Sequence, residues 1–419
     1  MSKVLLLFAN QFPFSSWEPF LETECEYLTA FDQVHIFSLS VRPDVTSDRL
    51  KGLDPKIQVH RIPFRSKIYY ALRAVRVLGN RDFYREVIHL FKAHRFTVGR
   101  LIQLLVFLSR ALDEARQVVS KLVASSSLFD DDSVVLYSYR MAYQPYLAEV
   151  VRRRLGLKAH RVARAHRADL YEEFADNSYI PMRDITVGRC LDRIYLVADH
   201  GLKYLQGRHP QHAGKMAVSR LGTSDLPGAF PRRRSGGPLR IVSCSTLVPV
   251  KRVELIVRAL AELPDGEVEW AHFGAGPVEG EIVALAESLL DGKVSWRFMG
   301  HRANSEVLAA YAAGAFDVLV NVSSSEGVPV SMMEASSFGV PVVATDVGGV
   351  GEIVVDGVNG VLLPSDPEPH AIAEAIHRLA ILPDDRWQEM CRQARTQWEK
   401  SYSASDNYRS FVAELLSDA

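Results

Sequence analysis

Short apolar runs separated by longer stretches of helical periodicity set the plan of this chain. In the first half, residues 4–9, 33–37, 134–138, 161–164 and 193–197 read as strands with helical segments between them. The pattern restarts at 239–244 and continues through 269–274, 295–300, 318–321 and 340–344. Alternation of this kind predicts parallel sheet covered by helices, built twice. Between the two series, residues 227–238 are rich in proline, glycine and arginine and read as a linker. The expected organisation is a Rossmann-like domain over 1–226 with a basic helical insertion at about 61–125, the linker, and a second Rossmann-like domain over 239–402. A length of 419 residues is long for one core and suits two. The last segment, 386–416, is helical and amphipathic, with Trp387, Trp398, Tyr402, Tyr408 and Phe411 as its large apolar side chains.

Composition adjusts this picture in a few places. A hydrophobic content of 47% fits globular α/β domains, and a formal net charge of −1 gives no overall attraction to nucleic acid. Charge is local instead. Residues 61–110 hold 11 Lys or Arg against Asp82 and Glu86, interleaved with Phe64, Tyr69, Tyr70, Phe83, Tyr84, Phe91, Phe96 and Phe107. Two readings of that stretch stand side by side: a basic aromatic face lying on an anionic membrane surface, and an amphipathic insertion whose apolar stripe packs inward beneath a solvated basic face. Cys25, Cys190, Cys244 and Cys391 form no C-x-x-C pattern and read as reduced thiols of a cytoplasmic protein. The apolar run at 4–9 is too short for a signal sequence, and 101–108 falls far below the roughly 20 residues that span a bilayer. Any membrane association is therefore expected to be peripheral.

The richest chemistry lies at 316–346. The run 316–320 reads as a buried strand and Ser323 to Gly327 as the loop leaving it. Pro329 suits the first turn of a helix and Gly339 its left-handed end, leaving about two and a half turns between them. The N-terminal amides of such a helix carry partial positive charge and seat a phosphate or diphosphate. Glu326 stands just before that seat, while Glu334 lies roughly 7 Å along the axis from it. That offset separates a diphosphate from its ribose, so Glu334 suits the ribose hydroxyls and Glu326 those of a transferred sugar.

Glu326 and Glu334, with Gly339-Val340-Pro341-Val342-Val343-Ala344-Thr345, Gly348-Gly349-Val350-Gly351-Glu352-Ile353-Val354 and Asp356-Gly357-Val358-Asn359-Gly360, resemble the retaining, nucleotide-sugar-dependent glycosyltransferases of family 4. The resemblance extends upstream through Phe273-Gly274-Ala275-Gly276-Pro277 and Phe298-Met299-Gly300, so it covers essentially the C-terminal half. It implies a GT-B fold: two Rossmann-like domains facing across a deep cleft, with the last helix, about 403–419, crossing back onto the N-terminal domain. It also implies a retaining, metal-independent hexosyltransferase that uses no cofactor. The donor would be a nucleoside-diphosphate sugar, with UDP-sugars favoured because they are common. The basic segment narrows the acceptor to a lipid-linked saccharide of bacterial surface polysaccharide assembly, with the enzyme cytoplasmic or at the inner face of the membrane. Two other readings stay open, a nucleotide-sugar-binding scaffold without turnover and a GT-B-like sugar-nucleotide epimerase.

Residue by residue, the resemblance places Glu334 at the ribose, Glu326 at the sugar hydroxyls, and Lys251 with the N–H groups of Gly327, Val328 and Val330 at the diphosphate. Pro329 belongs to the same loop but has no N–H to give. Neither glutamate is expected to act as a covalent nucleophile. Family members usually carry an arginine five positions before the lysine; Thr246 stands there in this chain, with Arg252 as the neighbouring cation. Gly274 and Met299 are expected to line the nucleotide pocket, since Phe273 to Pro277 is too short for a dinucleotide fingerprint. His166 matches a cleft histidine near the transferred sugar, and Arg167 is an acceptor-side candidate. The loop after the first strand lacks the paired glycines of many relatives and offers Ser15, Ser16 and Glu18 on the acceptor side. Asp130-Asp131-Asp132 precedes a strand and so reads as a solvated turn rather than a metal site.

Overall fold

A computed structural model of the chain describes residues 2–15, 18–42, 45, 52–124, 133–228 and 237–418. Ser16, the run Asp130-Asp131-Asp132 and residues 229–236 of the expected linker lie outside these described residues. The chain forms two compact units, Met1–Ser219 with Tyr408–Ala419, and Arg220–Asn407. The expected boundaries at 226 and 402 therefore shift. Residues 220–225 are held by the second unit through the pair Arg220–Glu352 (3.1 Å), a bridge between Thr223 and Ser403, and Arg395, which grips both Asp225 oxygens at 2.9 Å. Asn407 is held in the same unit, donating to the carbonyls of Leu221 and Ser401 at 2.9 Å.

The first unit is a parallel sheet in the order β3-β2-β1-β4-β5-β6-β7. Its strands are β1 (Lys3–Ala9), β2 (Gln33–Val41), β3 (Ile57–Pro63), β4 (Ser133–Ser138), β5 (Ala159–Ala165), β6 (Arg193–Leu196) and β7 (Met216–Val218). Because side chains alternate across a strand, the unbroken apolar run of β1 feeds two cores. Val4, Leu6 and Phe8 join Leu104, Leu108 and Leu147 on one face; Leu5, Leu7 and Ala9 join Leu21, Cys25 and the C-terminal residues Phe411, Val412 and Leu415 on the other. The fully buried Arg164 faces Glu24 at 3.5 Å and stacks over Phe411 at 4.2 Å.

After β3 the basic segment forms helices Lys67–Leu72, Arg73–Gly79 (3-10), Arg81–Lys92 and the long Val98–Ala124. Their inner faces are buried through Tyr70, Val77, Phe83, Leu90, Leu104 and Leu108, as the inward-packing reading expects, while Ile68, Leu72, Val75 and Leu78 stay exposed. Among the described residues, no helix is long and apolar enough to cross a membrane.

The second unit repeats the architecture as β10-β9-β8-β11-β12-β13. Its strands are β8 (Leu239–Cys244), β9 (Val268–Phe273), β10 (Ser295–Phe298), β11 (Val318–Asn321), β12 (Val342–Thr345) and β13 (Gly360–Leu363). The last segment forms helices Asp384–Ser401 and Ala404–Ser417. In both sheets the connection reverses direction once, between β1 and β4 and between β8 and β11. Open parallel sheets bind ligands at the carboxyl ends of the strands flanking that reversal.

Candidate functional site

In the second unit, the loops leaving β8 and β11 flank the reversal point and carry opposite charges. Lys251 ends a short turn, Pro249–Lys251, and its Nζ donates to Glu326 Oε1 at 2.6 Å. Glu326 is 9% exposed, so its charge is held by partners rather than by water. Asn321, the polar last residue of β11, donates to the same oxygen at 3.4 Å and accepts from the Ser323 N–H (3.1 Å) and hydroxyl (2.6 Å). The two loops are tied where the Ser324 N–H meets the Val250 carbonyl at 2.9 Å. From behind, the Gly349 N–H donates to the Gly327 carbonyl at 2.8 Å. Gly348 adopts φ +58° so close to the Glu326 carbonyl that a Cβ would lie 2.0 Å from that oxygen. Only glycine fits there.

The helix that follows spans Val330–Ser337, with Pro329 as its cap residue and Gly339 in the left-handed conformation just beyond its end (φ +72°). The first amides of any helix have no partner within it, so Val330 and its neighbours present N–H groups at this end. Glu334 lies one turn in. It is buried and accepts from Asn304 Nδ2 at 2.9 Å. Burial pushes its carboxyl up to about 7, and the Asn304 bond offsets only part of that. Cys244, ending β8, has its thiol pushed up to about 12 by burial and then by the Glu334 charge, while Lys251 acts in the opposite sense. Glu334 and Lys251 therefore both act on the end of β8. The arrangement offers one cation, two carboxylates and a helix N-terminus around a single strand edge.

Other expected donor residues have different duties. Arg252 adopts φ +49°, and its guanidinium binds the carbonyls of Val322 (2.7 Å), Ser323 (3.1 Å) and Ser365 (2.8 Å) and the Asp366 carboxylate (2.7 Å). It staples the β11 loop in place through these contacts. Gly274 is required for close approach: at φ +141° its Cβ would sit 1.8 Å from the Ser245 carbonyl oxygen. The Met299 N–H is engaged by the His272 carbonyl at 2.8 Å and so is not a group offered to a base. Thr246 is exposed in the β8 loop, its carbonyl accepting from Val248. Sequence reasoning missed Asn321, Asn304 and His272. The last is part of a relay. Trp270 Nε1 donates to Ser243 Oγ (2.9 Å), and the Ser243 hydroxyl meets His272 Nδ1 (2.8 Å). His272 Nε2 reaches the Ser245 carbonyl (3.2 Å), which can only accept, so the ring proton lies on Nε2 and Ser243 donates to Nδ1. Burial holds this imidazole at about 4, hence neutral.

In the first unit, His166, Glu18, Arg140 and Asp169 gather at the carboxyl ends of β1, β4 and β5. Arg140 lies 3.8 Å from Glu18 and 3.6 Å from Asp169. His166 packs on Tyr139 with ring centroids 4.9 Å apart, and among the described residues neither ring nitrogen has a hydrogen-bond partner. Burial, then the charges of Arg140 and Arg164, keep the imidazole well below its ordinary value, so it is neutral. Arg167 stacks its guanidinium on Phe174 at 4.3 Å, and Ser15 is half-buried in the β1 loop.

Glu18 anchors the loop that follows β1. Its carboxylate accepts the N–H groups of Asn10 (3.1 Å), Gln11 (2.9 Å) and Phe12 (2.9 Å), fixing the loop that a glycine pair shapes in other members of the resembling family. Glu18→Ala leaves these donors without an acceptor and is expected to destabilise the first unit by about 3 kcal/mol in urea unfolding. A loss below about 1 kcal/mol would show that these bonds do not anchor the loop.

Residues 238–381 match the profile of the family described as glycosyl transferases group 1. The match lies within the second unit, which in this segment is similar to that family. WcaL of Escherichia coli K12, named for colanic acid biosynthesis, is 29% identical over 45% of this chain and 48% of its own length. AmsK of Erwinia amylovora, an amylovoran biosynthesis glycosyltransferase, is 28% identical over 40% of this chain and 42% of its own. The chain thus spans less than half the length of these relatives. Over full lengths on both sides, the crystal structure of Anabaena Alr3699/HepE in complex with UDP and glucose superposes with a TM-score of 0.66 at 17% identity. The apo lipopolysaccharide outer core galactosyltransferase WaaB gives 0.69 at 14%. At such identities the likeness establishes the fold alone, two parallel-sheet Rossmann-like domains of the GT-B type.

Proposed function

We propose that this protein is a retaining, metal-independent glycosyltransferase of family 4 that moves a hexosyl group from a nucleoside-diphosphate sugar, with UDP as the favoured nucleotide, to a saccharide acceptor. The observation that carries the reading is the Lys251–Glu326 pair at 2.6 Å, set at the strand-order reversal beside a helix N-terminus, with Glu334 one turn further in. Each part has a task. The amides of Gly327, Val328 and Val330 and the Lys251 ammonium bind the diphosphate, and the ammonium takes up charge as the leaving group departs. An ammonium has three N–H donors, so its bond to Glu326 leaves others for phosphate oxygens. A cation and a helix dipole at this place supply what a divalent metal would otherwise supply. Glu326 accepts from hydroxyls of the transferred sugar, and Glu334, backed by Asn304, accepts from the ribose diol. In the first unit, His166, whose Nδ1 lies 3.9 Å from Asp169 Oδ1, is the proposed contact for a sugar hydroxyl.

Departure of the diphosphate with the acceptor entering on the same face keeps the anomeric configuration without a covalent intermediate. The names of WcaL, AmsK and WaaB favour a surface-polysaccharide or lipopolysaccharide acceptor, and a lipid-linked saccharide handled at the cytoplasmic face of the membrane fits them. The test is an NMR assignment of the product's anomeric centre with a UDP-hexose donor and a lipid-linked acceptor, in EDTA. Retained configuration with undiminished rate supports the proposal, and inversion or dependence on added metal overturns it. Binding without transfer or donor hydrolysis would point to a scaffold, and isomerised donor without acceptor to an epimerase.

A further inference from the structure

The outer surface of the basic segment carries a second feature that shares no residue with either loop cluster. In a 3-10 helix, residues three apart stack along one edge. Arg73–Gly79 is such a helix, continuing from Lys67–Leu72, so Leu72, Val75 and Leu78 form one edge, and they are 77%, 68% and 52% exposed. Val77, on another edge, is fully buried. Ile68, one α-turn before Leu72, is 72% exposed. The Tyr84 hydroxyl donates to the Leu78 carbonyl at 2.7 Å and leads the ridge onto the next helix, where Ile88 and Phe91 are also exposed.

Directly beside the ridge is a hollow of about 600 Å³ lined by Arg76, Arg81, Arg85, Arg116, Arg153 and Arg154, with Asp82 as its acidic member. Arg85 pairs with Asp82 at 2.8 Å and Arg153 with Glu149 at 2.6 Å. Among the described residues, Arg76, Arg81, Arg116 and Arg154 form no ion pair. Partial burial, then the charge of Arg116, lower the pKa of Arg154, as expected where cations are gathered without counter-charge.

We propose that the arginine-lined hollow and the apolar ridge together form a docking face for an anionic phospholipid surface, the hollow taking phosphate headgroups and the ridge entering the acyl boundary. Guanidinium groups bind phosphate through paired N–H donors, which accounts for the hollow. A soluble phosphate compound or an acidic peptide would satisfy the arginines and leave Ile68, Leu72, Val75, Leu78, Ile88 and Phe91 in water. A lipid surface presents phosphate and hydrocarbon side by side, in the order in which this face presents arginine and leucine. The inference stands whether or not glycosyl transfer is the activity.

The test is co-sedimentation of the full chain with phosphatidylcholine vesicles containing either no or about 30 mol% phosphatidylglycerol, at about 0.05 M and 0.3 M salt. At the lower salt, anionic vesicles are expected to bind about tenfold or more tightly than neutral ones, and the advantage should shrink at the higher salt. Arg76→Glu with Arg116→Glu, both exposed, should remove about tenfold of that affinity, and Leu72→Ser with Val75→Ser and Leu78→Ser should remove the part that survives salt. Equal binding to both vesicle types, or full binding by both variants, would overturn the proposal. So would calorimetric binding of inorganic pyrophosphate that the arginine variant loses while vesicles are ignored, or capture of an acidic peptide in place of vesicles.

Discussion

Replacing Lys251 with alanine is expected to lower kcat by about 10²- to 10³-fold while changing donor affinity far less. The reason is one of timing. A bound diphosphate already has the amides of Gly327, Val328 and Val330, whereas the additional negative charge appears only as the sugar–oxygen bond breaks, and an ammonium at that place acts most strongly then. The substitution also takes away the partner that Glu326 has at 2.6 Å and leaves the carboxylate with Asn321 alone. Structural and chemical losses are therefore separated by adding Glu326→Gln. The double variant should regain most of the thermal stability lost in Lys251→Ala and none of the turnover, a coupling visible in a double-mutant cycle. Steady-state rates within about threefold of wild type in Lys251→Ala would remove the lysine from the chemistry.

Glu334→Gln is expected to weaken nucleoside-diphosphate binding by about tenfold or more, because hydrogen bonds to an ionised carboxylate are the stronger kind. It should also change how binding and stability depend on pH. Burial lifts this carboxyl from its ordinary 4.5 to about 7, so the folded protein holds the proton more tightly than the unfolded chain does. The stability this contributes is complete below about 4.5 and is lost as pH rises through about 7. That interval corresponds to on the order of 3 kcal/mol. Without nucleotide, Glu334→Gln should therefore lack this decline, and above neutrality it should be at least as stable as wild type. Ribose hydroxyls donate to the ionised form, so wild-type affinity should rise with pH across the range around 7 and that of Glu334→Gln should stay flat. Parallel pH profiles for the two proteins would show that Glu334 does not meet the ligand.

Much of this was legible in the sequence, for identifiable reasons. Strands buried on both faces, such as Val4 to Ala9 or Val318 to Asn321, announce themselves as apolar runs, and Pro329 and Gly339 bracket the helix that carries Glu334. Strand β3 was not legible: it lies at the sheet edge, and Gln58, His60 and Arg61 interrupt its pattern. Nor were β7, with three residues, and β13, which opens on Gly360 where a Cβ would approach the Val342 carbonyl oxygen to 2.1 Å. Among site residues, the types were readable and the partners were not. Glu18 and Arg252 stand in loops that follow strand carboxyl ends, and tertiary contacts turn the first to three backbone N–H groups and the second to three carbonyls and Asp366. Asn321 gave one signal, a polar end to an otherwise apolar strand; Asn304 gave none, because its link to Glu334 joins residues thirty apart.

The most direct measurement is calorimetric titration of UDP, GDP and ADP into the full chain and into Glu334→Gln, each with and without EDTA. The account predicts that one diphosphate binds, indifferent to EDTA and weakened about tenfold or more by the substitution. Binding of none of them, binding abolished by EDTA, or equal affinity in the two proteins would contradict it.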